Sequence, residues 1–364
     1  MMEKLIRAAV DRGSESLHIK AGDVFRARIK GELVRLSEEP FTNEEIRGIA
    51  IGLLPDESLR ESVDGLTDYD FAWELEDVAR FRVNILKQRG SFMIVMRVIP
   101  WQVPNFEELG LPAVLADVAD QPDGLVLVSG ATGQGKSTTQ AAMIDWINRN
   151  RAKHIITLED PIEYWHGNVQ STVTQREIER DTRSFRSGLR AALRQDPDVI
   201  LIGEMRDVET FETAFEASET GHLVISTMHS NTAVGAITHV LAMFPDFKEA
   251  LVRRRLADSL RAIVSQRLLG GLDGRRVPAV EVLIGTPAVR DAILQGEVQQ
   301  AILRLMREGD AYGMQTFDQH LMQLVRDGAV DYEEARQAAS SPADFELFMQ
   351  TLADTGGEEE GGAD

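Results

Sequence analysis

Short apolar runs alternate with amphipathic segments between about residue 120 and residue 230. Each run is flanked by polar residues or glycine, which is typical of a strand that is buried on both faces. Helical patterns separate several of the runs, so the pattern predicts an α/β fold with a parallel, doubly wound sheet. The predicted strands are residues 125–129, 154–158, 199–202 and 223–227.

The first 99 residues have a different pattern, in which a helix is followed by strand-like segments. Residues 23–30 and 32–36 resemble a hairpin around Gly31. Residues 42–54 predict a helix that opens with Thr42 as a cap and Glu45 three residues later. Further strands are predicted at 68–75, 79–87 and 92–99. Residues 1–99 are therefore expected to form a small α+β domain.

The sequence Pro100-Trp101-Gln102-Val103-Pro104 predicts a stiff linker, because two prolines disfavour a helix. We place the linker at residues 100–116 and a second domain at 117–354. Beyond residue 230 the pattern is mostly helical, apart from a strand predicted at 277–284. The glycine- and glutamate-rich tail at 355–364 is expected to be disordered.

A basic run, Arg253-Arg254-Arg255, is predicted to lie on one of these helices. The apolar positions assigned to that helix are Leu256, Leu260, Ile263 and Val264. The arginines are interpreted as a solvated or subunit-facing side of the helix rather than as a nucleic-acid site.

Residues 130–137, Gly-Ala-Thr-Gly-Gln-Gly-Lys-Ser, form a complete G-x-x-x-x-G-K-[ST] phosphate-binding loop. An accidental glycine-rich turn is disfavoured, because a predicted strand precedes the motif and a predicted helix follows it. Lys136 is expected to reach the β- and γ-phosphates of a nucleotide, and the Ser137 hydroxyl is expected to bind Mg²⁺. The predicted nucleotide-binding residues are Gly130, Ala131, Thr132, Gly133, Gln134, Gly135, Lys136, Ser137 and Thr138.

Polar side chains also accompany three of the predicted strands. Glu163 lies shortly after the second strand, Glu204 follows the third, and His229 follows the fourth, which His222 opens. Each feature alone is weak, since a carboxylate after a strand is often a helix cap. Together with the phosphate-binding loop they predict a site for Mg²⁺ and γ-phosphate chemistry at one sheet edge.

Composition narrows the class of partner. The formal net charge of −20 disfavours DNA or RNA binding outside a local basic patch. The chain has no cysteine, which excludes disulfides and thiolate metal sites and agrees with a reducing cytosol. No apolar run approaches the roughly 20 residues of a membrane span, and no secretory signal is expected.

Three motifs carry a resemblance to a known family. The segment 193–207, Leu-Arg-Gln-Asp-Pro-Asp-Val-Ile-Leu-Ile-Gly-Glu-Met-Arg-Asp, resembles the signature of the bacterial secretion ATPase superfamily, which powers type II secretion and type IV pili. Residues 158–164 resemble its Asp box, and residues 221–229 resemble its His box. The motifs occur in the family's order, and the resemblance covers nearly the whole chain.

Within that superfamily the chain is most similar to the PilT-like type IV pilus retraction ATPases. Residues 15–19 and 313–318 resemble motifs of this branch. The chain is also expected to lack the extra N-terminal domain that is usual in pilus-assembly and type II secretion members, and without cysteine it cannot form their four-cysteine zinc insert. It departs from the branch at Ser16, Ala131, His239 and Ala242, and residues 288–295 match the retraction motif only in part.

The resemblance implies a RecA-like P-loop ATPase core with C-terminal helices, preceded by a PAS-like N-terminal domain. It implies a homo-hexamer that uses ATP and Mg²⁺, with Glu204 or Glu163 organising the attacking water and with Ser137 and Glu204 near the metal. His222 and His229 would sense the γ-phosphate. Arg82 and Arg97 would act on ATP held by a neighbouring subunit, although ordinary surface salt bridges are an equal alternative.

The same resemblance implies a cytoplasmic location at the inner face of the cytoplasmic membrane, through an inner-membrane pilus platform protein. The expected function is pilus retraction in twitching motility. The alternatives are a pilus-assembly or type II secretion ATPase, and an accessory paralogue with slow hydrolysis. A DNA-translocating motor is disfavoured by the charge.

Overall fold

The computed structural model describes residues 2–29, 31–99 and 102–356, with side chains up to residue 351. Contacts divide the chain into two units, one of residues 1–102 with 163–165 and one of residues 103–162 with 166–364. Pro100 and Trp101 of the predicted linker lie outside the described residues. Residues 103–116 belong to the second unit, where Leu111 and Leu115 are buried. This part of the predicted linker therefore packs as a part of the second unit.

The first unit is an antiparallel six-stranded sheet with helices, which agrees with the predicted α+β class. The order of its strands is β3-β2-β1-β6-β5-β4. Its elements are α1 (Met2–Asp11), β1 (Ser14–Lys20), β2 (Arg26–Ile29), β3 (Glu32–Arg35), α2 (Asn43–Leu53), α3 (Glu57–Glu61), β4 (Asp68–Leu75), β5 (Ala79–Gln88) and β6 (Ser91–Ile99). The predicted capping box is present, because Thr42 accepts from the Glu45 N–H while the Glu45 carboxylate accepts from the Thr42 N–H.

Alternation of side chains creates the core of the first unit. Phe81, Val83 and Ile85 of β5 are fully buried, whereas the residues between them point to the other face. Ile46 and Ala50 of α2 belong to the same apolar cluster. Burying side chains of this size contributes roughly 1.5–3 kcal/mol each, so the apolar face of the sheet holds this unit together.

The second unit is built on a seven-stranded sheet of order β13-β12-β7-β11-β10-β8-β9. Every strand except β13 pairs in parallel with its neighbours, and β13 pairs antiparallel with β12. The strands are β7 (Gly124–Ser129), β8 (His154–Glu159), β9 (Thr172–Glu177), β10 (Val199–Ile202), β11 (Leu223–Met228), β12 (Leu260–Gly270) and β13 (Arg276–Ile284). The predicted parallel α/β sheet is therefore confirmed.

Helices cover both faces of this sheet. The helices of the second unit are α4 (Val114–Ala119), α5 (Lys136–Asn150), α6 (Phe185–Ala192), α7 (Val208–Glu219), α8 (Ala233–Ala242), α9 (Glu249–Ser259), α10 (Pro287–Gln295), α11 (Gln300–Arg307), α12 (Phe317–Arg326), α13 (Tyr332–Ala338) and α14 (Pro342–Gly356). Leu125 and Leu127 of β7 face one apolar cluster, and Val126 and Val128 face another with α4 and α5. The predicted disordered tail lies outside the described residues from residue 357 onward.

One predicted helix is wrong in its second half. Helix α9 ends at Ser259, and Leu260, Ile263 and Val264 belong to strand β12. An apolar run at these spacings fits either period, and β12 is buried on both faces between β7 and β13. Since only tertiary pairing separates the two readings, the sequence did not reveal this strand.

The basic run lies on α9, and two of its arginines are bound within the chain. Arg253 pairs with Glu249 and donates to the Ile293 carbonyl at 3.1 Å. Arg255 pairs with Glu219 and lies over the Phe215 ring. Arg254 is exposed and lies 3.8 Å from Asp258. The three arginines therefore mainly form ion pairs within the chain.

Candidate nucleotide-binding and hydrolysis site

The phosphate-binding loop connects the end of β7 to the start of α5. Gly130 and Gly135 have φ values of +152° and +80°, and a Cβ on Gly130 would lie only 2.7 Å from the Gln266 carbonyl oxygen. Glycine is thus required at both positions. Lys136 Nζ donates to the carbonyls of Gly130 and Ala131 at 2.8 and 3.0 Å. The loop wraps the start of a helix whose free N–H groups favour an anion.

The loop rests on a buried residue that sequence reasoning missed. The side chain of Gln266, on β12, is almost fully buried and donates to the Gln134 carbonyl. The Thr139 hydroxyl donates to Gln266 Oε1 at 2.8 Å. Gln266 therefore joins the loop to the first turns of α5 from behind. A polar residue inside an otherwise apolar strand was the available signal, but β12 had been predicted as helix.

Replacing Gln266 with leucine should weaken nucleotide binding. The change keeps most of the volume but leaves the Gln134 carbonyl and the Thr139 hydroxyl without this partner, at roughly 1–3 kcal/mol each. We expect the Kd for ATP to rise about tenfold or more, since 1.4 kcal/mol is a factor of ten. Titration with a fluorescent ATP analogue measures this Kd. Gln295→Leu, at an exposed position of α10, is the control, and equal affinity in the two variants would contradict the role of Gln266.

Glu204 and His229 meet at the same sheet edge as the loop. Strands β10, β11 and β7 are parallel neighbours, so their carboxyl ends lie together. Glu204 Oε2 lies 3.7 Å from His229 Nε2, and its other oxygen pairs with the Arg206 guanidinium. The two strand ends are tied where Thr227 Oγ1 donates to the Gly203 carbonyl at 2.6 Å. Arg206, for which the sequence predicted no role, is thus the second basic side chain beside the Glu204 carboxylate.

The structure does not bring His222 to this edge. His222 precedes β11, and its carbonyl accepts from the Gly124 N–H at the start of β7. It is thus separated from His229 by the length of β11, roughly 20 Å at about 3.3 Å per residue. Its Nδ1 lies 2.9 Å from the Ala217 carbonyl, so Nδ1 carries the proton and closes the end of α7. Sensing of the γ-phosphate in its own subunit is therefore not supported for His222.

The carboxylates of the predicted Asp box divide between the two units. Glu163 is exposed and belongs to the segment 163–165 of the first unit. Glu159 ends β8 in the second unit, where it accepts from the Thr157 hydroxyl at 2.6 Å and from Gln175 at 3.0 Å. Because β8 lies beside β10, Glu159 and the following Asp160 are the Asp-box carboxylates at the same strand ends as Glu204. Within this motif, Glu163 had been predicted as the alternative to Glu204.

Arg82 and Arg97 lie directly opposite each other on neighbouring strands of the first unit. Phe81, Val83 and Met96 beside them are buried, so both guanidinium groups project from the other face. Arg97 is exposed on that face. Like charges directly opposite destabilise a sheet. Asp70 lies 3.6 Å from Arg82 and neutralises the pair only in part, so this face favours an additional anion.

Oxygen ligands for a magnesium ion are available at the loop. Ser137 is in the first turn of α5 and Glu204 follows β10, and hydroxyl and carboxylate oxygens are the ligands that Mg²⁺ prefers. In the described ranges no cluster of three or more histidine, aspartate or glutamate side chains has metal-binding geometry. Mg²⁺ commonly binds one or two protein carboxylates together with nucleotide phosphates and water.

A phosphate-binding loop, with acidic and basic side chains on the same edge of a parallel sheet, defines a P-loop ATPase. The sequence model of the family "Type II/IV secretion system protein" matches residues 67–275. The chain belongs to this family and is an ATPase. No helix in the described part of the chain has the length and apolarity of a membrane span.

Two relatives and one solved structure are similar over nearly the whole chain. The type IV pilus retraction ATPase PilT of Pseudomonas aeruginosa is 42% identical, over 94% of this chain and 99% of the relative. The type IV pilus ATPase PilU of the same organism is 40% identical, over 96% and 91%. The crystal structure of the pilus retraction motor PilT with bound ADP matches with a TM-score of 0.88 and 41% identity, covering 95% of this chain and 99% of that chain.

Proposed function

We propose that the chain is the ATP-hydrolysing motor of type IV pilus retraction. The observation that carries the proposal is the similarity to PilT at 42% identity, over 94% of this chain and 99% of the relative. A complete phosphate-binding loop beside Glu204 and His229 supports it. The ADP in the similar PilT structure agrees with nucleotide binding at this loop.

The loop residues 130–138 bind the phosphates through backbone N–H groups and the positive start of α5. Lys136 leaves the carbonyls of Gly130 and Ala131 and bonds the β- and γ-phosphates, because a phosphate oxygen is a stronger acceptor for an ammonium group. When bound, Mg²⁺ neutralises the charge that develops on the transferring phosphoryl group. Ser137 and Glu204 are the residues that would hold it.

Glu204 orients the attacking water, and His229 and Arg206 hold that carboxylate in place. The carboxylate is mostly buried, with 17% of its side chain exposed, so its orientation is restricted while one edge stays accessible. His229 follows the strand between the loop and Glu204 and is therefore placed to respond to the γ-phosphate. Glu159 and Glu163 are the other carboxylates that could share this role.

Arg82 and Arg97 complete the site in a ring of six identical subunits, where each acts on the nucleotide of a neighbour. The support is an exposed pair of guanidinium groups that face each other without full neutralisation. Arginines that act in this way neutralise the γ-phosphoryl group in the transition state. The ring works at the inner face of the cytoplasmic membrane, through a platform protein of the pilus rather than through a span of its own.

A clean deletion of the gene tests the direction of work. Loss of retraction predicts surplus surface pili and loss of twitching motility, with ATP hydrolysis by the purified protein. Loss of all pili would instead identify an assembly ATPase, the first alternative.

The second alternative is an accessory paralogue with slow hydrolysis. An accessory motor predicts that deletion leaves retraction in place but weakens it under load. Steady-state turnover of the purified protein distinguishes it further, because slow hydrolysis is expected for the accessory role.

A further inference from the structure

Glu281 is a buried glutamate at the level of the phosphate-binding loop. It lies on β13, and its side chain is almost fully buried. It pairs in register with Ser265 of β12, which pairs in turn with Ser129, the last residue before the loop. Strand β12 lies between Glu281 and the strand that leads into the loop, so Glu281 is not a part of the loop. A buried carboxylate without a chemical role requires a different explanation.

Two helices begin at this one carboxylate. The Ala233 N–H, at the first residue of α8, donates to Glu281 Oε1 at 2.6 Å. Helix α12 begins beside the same carboxylate, because Val282, the next residue of β13, exchanges two backbone hydrogen bonds of 2.9 and 3.1 Å with Gln315. The Phe317 N–H, at the first residue of α12, favours the ionised form of Glu281. The first N–H groups of a helix have no partner within the helix, and the start of a helix carries a partial positive charge. Glu281 thus binds the start of α8 directly and holds its negative charge beside the start of α12.

Helix α8 is connected directly to the hydrolysis site. Only three residues separate His229 from Ala233, and that short segment is compact. Ser230 Oγ donates to the Thr232 carbonyl at 3.1 Å, and the Gly235 N–H donates to Thr232 Oγ1 at 3.0 Å. Because the segment is short and internally hydrogen-bonded, the position of the Ala233 N–H restricts the positions in which His229 can contact Glu204.

We propose that Glu281 is a positioning residue, whose negative charge holds the His229 segment and the start of α12 together and thereby sets the rate of hydrolysis. The proposal rests on the proposed function, because it assumes that His229 and Glu204 serve ATP hydrolysis. Helix α12 packs with α13 and α14. Through Glu281, the C-terminal helices and the nucleotide site are therefore linked.

The surroundings of Glu281 make its charge sensitive near neutral pH. Burial raises the pKa of Glu281 to about 7, against the opposing effects of the Ala233 and Phe317 N–H groups and of Arg267. The charged groups that face Glu281 are Arg267 on β12 and Asp318 on α12. From α8, the group that faces Glu281 is the backbone N–H of Ala233. Burial lowers the pKa of His320, on α12, to about 4, so His320 stays neutral between pH 6 and pH 8.

Arg267 connects the same cluster to the end of α13. Its guanidinium lies 4.1 Å from the centre of the Phe317 ring and donates to the Ala338 carbonyl. Protonation of Glu281 removes the negative charge that favours both helix starts, and Arg267 loses a counter-charge. The protonated and ionised forms therefore differ in how firmly the two helices are joined.

Glu281→Gln tests the proposal, because glutamine resembles the protonated form in shape and charge. We expect kcat about tenfold below that of the natural protein at pH 8, where Glu281 is ionised, as for the loss of one bond to a charged group. At pH 6 the kcat values of the two proteins should agree within about twofold, because Glu281 of the natural protein is then mostly protonated. The Kd for ATP should stay unchanged, since the loop is not touched. A rate ratio that is constant from pH 6 to pH 8 would overturn the proposal.

Thr316→Ala is the matched control. It removes the hydroxyl that accepts from the Gln319 N–H at the start of α12 and leaves Glu281 in place. Hydrogen exchange should rise at Ala233 and Phe317 together in Glu281→Gln, and only around α12 in Thr316→Ala. A rate ratio to the natural protein that changes with pH in Thr316→Ala as well would show general destabilisation rather than the charge of Glu281.

The natural protein keeps the proposal falsifiable if Glu281→Gln does not fold. Lowering the pH from 8 to 6 should raise the exchange at both helix starts together, after correction for the intrinsic exchange rate. Independent behaviour of the two helices would contradict the link. Absence of ATP hydrolysis by the natural protein at every pH would instead refute the proposed function, and the exchange measurement would still test Glu281.

Discussion

Glu204→Gln should bind ATP with near-normal affinity and hydrolyse it about 10²- to 10⁴-fold more slowly, the range for loss of a positioned general base. The substitution keeps the shape but removes the charge that meets Arg206 and His229. Binding depends on the loop after β7, whereas Glu204 follows β10, so the two effects separate. Nucleotide titration and steady-state phosphate release measure them.

Glu209→Gln is the matched control for this substitution. Glu209 is exposed on α7, where it pairs with Arg186, so the same chemical change should leave turnover within about twofold. If Glu204→Gln turns over normally while Glu163→Gln or Glu159→Gln is inactive, the assignment of the carboxylate is wrong and passes to that residue.

Arg97→Ala and Arg82→Ala should each reduce hydrolysis by about 10³- to 10⁵-fold if these arginines neutralise the phosphoryl group of a neighbour's ATP. A surface ion pair, such as that of Arg82 with Asp70, contributes only about 0–1 kcal/mol, less than a factor of ten. Action on a neighbour's ATP and a surface ion pair therefore predict clearly different losses of activity. Size and secondary structure should be unchanged, because both side chains project from the exposed face of their sheet.

Mixed rings decide whether the action crosses a subunit boundary. Lys136→Ala subunits lack the phosphate-binding lysine but keep both arginines. Mixed with Arg97→Ala subunits, they should regain some activity, because certain interfaces then pair an intact loop with an intact arginine. Mixing Lys136→Ala with Glu204→Gln subunits is the control, since both defects lie in the same unit of the chain. No recovery in the first mixture, despite demonstrated subunit exchange, would argue against action in trans.

Local patterns predicted the elements on which the site depends. The capping box of α2, strands β2 to β6 of the first unit and four strands of the parallel sheet occur close to where the sequence pattern predicted them, whereas β1 was not predicted. These features depend on residues near one another in the chain, such as Thr42 with Glu45. The nucleotide-binding loop is the extreme case, because its glycines and its lysine act within eight consecutive residues.

Long-range pairing explains what the patterns missed. Strand β12 lies between β7 and β13, and this neighbourhood determines its conformation although its apolar spacing also fits a helix. Gln266 and Glu281 were missed with it, because each acquires its role from partners more than 40 residues away in the chain. Strand β11 runs between His222 and His229, so the two histidines lie at opposite ends of that strand although they belong to one motif.

The sequence by itself determined the family, the phosphate-binding loop and the alternation of strands and helices, because these are encoded by contiguous residues and by their periodicity. The tertiary structure alone decided which carboxylate meets His229, which buried side chains support the loop and how α8 and α12 share Glu281. These relations arise when strands that are distant in the chain are placed side by side, and no spacing along the chain measures that distance.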